Sequence, residues 1–428
     1  MLHSTTIISR SSASVLSRLQ RIKSQYASTP HTFLFALSAT TQSSELSSLV
    51  DTLMDFSSTS SLGCLSAPLS SGYISCSIAL FDPKNAISFR STIAGQEKTQ
   101  VGRWHAFRRK DERKEEDLTL LEGTVDWDRL WKSNGRGTRK DLPDELTRLD
   151  AEHASSILYF SDLSPEGLSS AISESFPGAS QLGLLASSTP FITGRPVTLF
   201  HNQQILDSGA VGVAFTTPKS LHFDIPDDIQ PLGDPLDVTG SEGNLINTLN
   251  FSNPTQLLLS RIRDAGIDTT SFTAIRFKDD MEFYLSVLPS LSPSVSAPYQ
   301  LHAITAGDPS RGTLSLNTQT MAPPAGARVQ FFHRRSVKPL SLETWRDSAS
   351  IRHGTVAFMT VSSPEFLRDG GDEGKLESTG EELVLENQFV VGSENGFVLS
   401  RAGECPWSCT APGCIASISN SQFNRTQK

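Results

Sequence analysis

Apolar residues along this chain fall into short runs separated by Ser, Thr, Gly and Pro, and two stretches repeat one order of such runs. Thr32 to Leu37 has strand length, a Ser/Thr-rich cap follows, and Leu46, Val50, Leu53 and Met54 recur at helical spacing before a second strand at Leu62–Ser66. Ile157–Phe160 is again a strand. Ser164–Pro165–Glu166 opens a helix through Leu168, Ile172 and Phe176, with Pro favourable in the first turn, and Leu182–Ala186 is the next strand. Each unit then passes through Ser-Gly, at 71–72 and 208–209, into an apolar strand, Ile74–Phe81 or Ala210–Phe215. This pattern predicts a strand–helix–strand–strand unit used twice, with parallel pairs extended by antiparallel strands.

The second half reads differently. Strands are predicted at Leu236–Thr239 and Leu245–Leu249 around a turn at Gly240–Asn244, and a helix from Asn253–Pro254 to about Gly266. After a Ser/Pro-rich linker at Pro289–Pro298 come strands at Leu301–Thr305, Leu314–Leu316, Val329–His333, Thr355–Val361, Phe389–Val391 and Phe397–Leu399, with a helix around Ser341–Ile351 and a Gly- and acid-rich loop at Asp369–Glu382. The expected class is α+β: two lobes of mixed sheet flanked by helices, divided into residues 31–250 and 251–428.

Charge changes the reading at the N-terminus. The chain has 37 Lys and Arg against 46 Asp and Glu, a net charge of −9, which argues against a nucleic-acid footprint. Yet Met1–Ser44 carries Arg10, Arg18, Arg21 and Lys23 and no acid, with Val15, Leu16, Leu19 and Ile22 on one helical face. An acid-free, Arg- and Ser-rich amphipathic segment has the composition of a mitochondrial transit peptide. Residues 1–30 are therefore expected to pack against nothing and to direct the protein to mitochondria, with a cytoplasmic location as the alternative. No apolar run reaches the ~18–20 residues of a membrane-spanning helix.

Between the two units lies a charged insertion, residues 103–148, containing ten consecutive charges at Arg108–Asp117, five of each sign. Leu142–Pro143–Asp144–Glu145–Leu146 is similar to the opening of an F-box, but a strand arrives too soon for that module. Cys405, Cys409 and Cys414 lack the fourth ligand of a zinc site, so no metal is expected. No phosphate-binding loop, dinucleotide fingerprint, zinc-protease motif or nucleophile elbow is present. The candidate ligand-binding residues are Arg103 and His105, beside Trp104 in the insertion, with Arg195 and His201 at the ends of a strand. Cations at strand ends suit a carboxylate or phosphate.

Several segments resemble the FIST-domain family, paired N- and C-terminal sensory domains of bacterial signalling proteins and some F-box proteins. They are Thr189–Pro190–Phe191 with Gly194–Arg195–Pro196, Leu199–Asn202, Gly209–Ala214, the junction Pro231–Thr239 with Glu242–Ile246, Gly307–Leu314 and Val329–Arg334. The resemblance covers roughly residues 31–400, and the charged insertion and missing F-box depart from it. It implies sensing of a small ligand, amino acids among the suggestions, with no catalytic residue and no cofactor. An interaction scaffold, or a ubiquitin-ligase-like adaptor without its F-box, is the alternative. A hydrolase using Arg103, His105 or His201 is a further one.

Overall fold

A computed structural model describes residues 1–39, 43–57, 59–93, 142–267, 282–289, 299–308, 312–318, 321–334, 353–362 and 382–420. Three mixed sheets enclose one core. The first contains β1 (His3–Ser9), β2 (Thr32–Ser38), β3 (Ser60–Ser66), β4 (Ile74–Phe81), β8 (Leu199–His201), β9 (Gln204–Leu206) and β19 (Glu382–Glu386), in the order β19-β1-β4-β2-β3-β8-β9. The second contains β5 (Ala86–Ser91), β6 (Ser156–Ser161), β7 (Ser180–Leu185), β10 (Ala210–Phe215), β21 (Phe397–Ser400) and β22 (Trp407–Cys409), in the order β22-β21-β7-β6-β10-β5. The third is β11-β23-β18-β20, from Lys219–Asp224, Ile415–Asn420, Thr355–Thr360 and Gln388–Ser393.

The sheets share one pairing pattern. A central strand (β2, β6 or β18) lies parallel to the next strand of its sheet (β3, β7 or β20) and antiparallel to a later one (β4, β10 or β23). An outer strand (β1, β5 or β11) then pairs antiparallel with that later one. The sheets also exchange strands in a ring. The chain leaving β7 forms β8 on β3, the chain leaving β20 forms β21 on β7, and Ala67, just past β3, bridges to Gly392 of β20.

Alternation of side chains explains why these strands read as unbroken apolar runs: both faces are covered. Leu34 and Ala36, Leu158 and Phe160, Val356 and Phe358 all point into the common core. The other face of the first sheet, with Phe33, Phe35 and Leu37, packs under α1 (Ser12–Tyr26) and α2 (Ser43–Met54). Ile157 and Tyr159 of the second sheet pack under Leu168, Ala171 and Ile172 of a helix at Glu166–Ser175 and against Leu146 of a one-turn helix, α3 (Asp144–Thr147).

Close approach across the parallel pairs is set by two glycines. Phe35 faces Gly63 and Tyr159 faces Gly183, and an added Cβ would lie 2.5 Å from the Phe35 ring or 2.2 Å from the Tyr159 ring. Tyr159 is fully buried, so its ring cannot swing into solvent. Gly183→Ala is expected to lower stability by about 2–3 kcal/mol through overpacking. An unchanged urea midpoint would show that the ring yields freely.

The remaining elements form a closed barrel, β12-β13-β16-β15-β14-β17, from Gln230–Glu242, Leu245–Leu249, Thr313–Leu316, Gln300–Asp308, Glu282–Val287 and Arg328–Arg334. Its interior is filled by residues such as Val238, Ile246, Leu285 and Phe331, together with Leu258 and Ile262 of a helix at Pro254–Asp264. Asn253 caps that helix, its Oδ1 accepting from Gln256 N at 3.0 Å.

The α+β class holds broadly, with strands dominating. One expectation is corrected. The N-terminal thirty residues are packed: Ile7 and Ile8 of β1 and Val15 and Leu19 of α1 are fully buried. Of the basic residues that suggested a leader, Arg10 stacks on the Tyr73 ring before α1 begins, and on α1 Arg18 pairs with Glu382 and Lys23 with Asp55. Residue 250 lies among the barrel elements, and strands from residues 382–409 complete the first and second sheets. Among the described residues no helix is long and apolar enough to cross a membrane. The predicted helix at 341–351 and most of the linker at 289–298 lie outside them.

Candidate functional site

A cleft of about 660 Å³ opens where the first and second sheets meet. One wall is the end of β5, Arg90 and Ser91, continuing through Ile93. A second is the tight β8–β9 connection, His201 to Gln204. The third is Leu142–Glu145, leading into α3. Asn202 permits the tight connection by taking a left-handed conformation, φ 54°, and its Oδ1 accepts from Ser61 N at 3.0 Å. Leu142 and Leu146 anchor the third wall by burying themselves beside Phe89.

The cleft is bipolar. The Arg90 guanidinium donates through Nη1 to Gln204 Oε1 at 3.1 Å and makes no ion pair among the described residues. Its Nε is buried and without an acceptor. Burial above all, and then the neighbouring Arg90 charge, hold His201 below the ordinary histidine value, with Glu145 opposing. The imidazole is therefore neutral at pH 7 and offers one donor and one acceptor. Asp144 and Glu145 bring carboxylates to the third wall.

The shared pairing pattern supplies a counterpart for each residue of this corner. Arg90 lies opposite Val211, which pairs with Phe160; Phe223 lies opposite Ala416, which pairs with Phe358. His201 faces Leu62 on β3 as Leu399 faces Leu182 on β7. Gln204 faces His201 as Trp407 faces Leu399. Arg90, His201 and Gln204 thus hold the positions that Phe223, Leu399 and Trp407 hold at the next junction. There the corner is closed: the Phe223 and Trp407 rings meet edge to face at 5.1 Å, and Leu399 is fully buried. The matching position of the first sheet is Thr6, buried and hydrogen-bonded to Ser77 and to the Gln388 carbonyl.

Of the four residues expected from sequence, His201 faces the cleft. Arg195 does not: it follows a one-turn helix at Pro190–Thr193, where its carbonyl accepts from Thr189 Oγ1 at 3.1 Å and its amide approaches Thr193 Oγ1. Arg103 and His105 lie outside the described residues, as do residues 94–141 as a whole. Sequence reasoning missed Arg90 and Gln204, because a single Arg in Ala-Ile-Ser-Phe-Arg-Ser carries no motif. Cys405 is exposed while Cys409 and Cys414 are buried.

Comparison with known proteins gives one match. The family model described as the FIST N domain matches residues 31–251. No curated protein and no solved structure matches the chain.

Proposed function

We propose that this chain, which belongs to the FIST family, senses a small ligand of amino-acid type in the cleft between Arg90, His201 and Glu145. The FIST domain is a sensory domain of signal transduction. What carries the reading is one substitution of character: a corner that is apolar and sealed at Phe223, Leu399 and Trp407 is polar and open at Arg90, His201 and Gln204. Charge in a half-buried corner is costly unless something uses it.

The roles follow from the chemistry. Arg90 offers a planar fork that matches a carboxylate, and His201 adds a neutral donor beside it. Asp144 and Glu145 can accept from an ammonium group on the opposite side. In this reading the three sheets are copies of one unit, of which the junction between the second and third kept a filled corner and that between the first and second acquired a site.

Arg90→Ala is expected to weaken binding of the preferred amino acid by tenfold or more, the equivalent of a charge-assisted bond of ~1.5–3 kcal/mol. The melting temperature without ligand should change little, since Gln204 is the only hydrogen-bond partner of the Arg90 side chain among the described residues. Calorimetric titration of both proteins with an amino-acid panel checks this. Failure of the unmodified protein to bind any member would remove the reading.

A further inference from the structure

A second cleft, of about 250 Å³, lies on the seam between the barrel and the three-sheet body. Glu282 and Tyr284 of β14 and Ala303 and Ile304 of β15 form its barrel side, and Thr410 and Pro412, between β22 and β23, its body side. Below it sits Arg334, whose side chain is 2% exposed. Its Nη2 donates to Asp228 Oδ1 and its Nη1 to the Pro412 carbonyl, both at 2.7 Å, and Glu282 Oε2 stands 3.8 Å from Nη1. One guanidinium thus answers two carboxylates and leaves the cluster one negative charge in excess.

Glu282 Oε2 also accepts from the Tyr284 hydroxyl, whereas Glu282 Oε1 has no partner among the described residues. Thr410 Oγ1 accepts from Asn317 Nδ2 at 3.0 Å and keeps a second lone pair. Among the described residues no cationic side chain lines the cleft, and Ala303, Ile304 and Pro412 make the rest of its wall apolar. An acceptor-rich end, a surplus negative charge and an apolar wall define the complement of an organic cation.

We infer that this cleft binds a small primary alkylammonium ion, with its nitrogen on Glu282 Oε1 and its alkyl chain against Ala303, Ile304 and Pro412. The space equals that of about eight water molecules, enough for a chain of butyl size. The occupant touches the barrel through β14 and β15 and the body through the 410–412 turn, so it bridges the two. The site shares no residue with the Arg90 cleft and stands whether or not that cleft binds amino acids.

The test is calorimetric titration of the full chain with n-butylammonium chloride, and with 1-butanol as the uncharged analogue of the same shape. Saturable binding of butylammonium is expected, at least tenfold tighter than that of butanol. Glu282→Gln should weaken it tenfold or more, while Arg90→Ala should leave it unchanged. No saturable butylammonium binding, or butanol binding equally well, overturns the assignment on the unmodified protein alone, whatever the fate of the variant. Undiminished binding by folded Glu282→Gln overturns it as well.

Discussion

A chain shortened to begin at residue 30 is expected to be unfolded or insoluble. Removal of β1 and α1 takes Ile7, Ile8, Val15, Leu19 and Ile22 out of the core, all of them buried. At ~1.5–3 kcal/mol for each such side chain the loss is roughly 10 kcal/mol, comparable with the ~5–15 kcal/mol that holds a typical protein folded. It also strips ladder partners from both β4 and β19, which flank β1. Circular dichroism and sedimentation of the shortened chain check the outcome, and a cooperative melt like that of the full chain would refute it. Cleavage of a leader near residue 30 would have the same consequence, so we expect this segment to be retained in the working protein wherever that protein resides.

Arg334→Met is expected to cost about 3 kcal/mol. The guanidinium is buried, yet Asp228 and Glu282 remain 31% and 40% exposed, so water relieves part of the penalty on the stranded carboxylates. That puts the change at the lower end of the ~3–5 kcal/mol seen when one partner of a buried pair is removed. Arg334→Lys should recover little, because one ammonium cannot reproduce a fork that reaches Asp228 and the Pro412 carbonyl together. Urea unfolding of the three proteins measures this. Equal midpoints would mean that the cluster does not fasten the barrel to the body.

The legible parts of the sequence were those that packing forces into apolar runs. Strands β2, β3, β6, β7 and β10 are buried on both faces, so their residues had to be apolar almost without interruption. Strand β1, His-Ser-Thr-Thr-Ile-Ile-Ser, is equally buried although half of it is hydroxyl-bearing: Thr6 bonds to Ser77 and the Gln388 carbonyl and Ser9 Oγ accepts from Ser11 N, while the Ser4 and Thr5 hydroxyls are buried without a partner among the described residues. Composition alone cannot tell a satisfied buried hydroxyl from a solvated one. Strand β11, Lys219–Asp224, is half-buried up to Phe223 and exposed at Asp224, and gives no strong period. The charges of the insertion give no sign that Leu142 and Leu146, at its end, are core residues. Within the Arg90 cleft, His201 was visible because it ends an apolar strand. Arg90 becomes legible only when β5 is set beside β11 through their partners, a comparison that needs the register and not the sequence.

The ring of exchanged strands has a consequence for biosynthesis. The segment matched by the family model, residues 31–251, lacks β1 as well as β18 to β23, so two of the three sheets are incomplete and the third has only one strand. The third sheet, and with it the ring, cannot be completed until β23, ending at Asn420, has left the ribosome. At ~5–20 residues per second, β1 waits roughly 20–80 s for its neighbour β19 and for the last strands of the ring. During that interval β2, β3 and β4 expose apolar faces and unpaired edges, the surfaces that drive aggregation of nascent chains. The protein should therefore depend on chaperones that hold an emerging chain open until its synthesis ends.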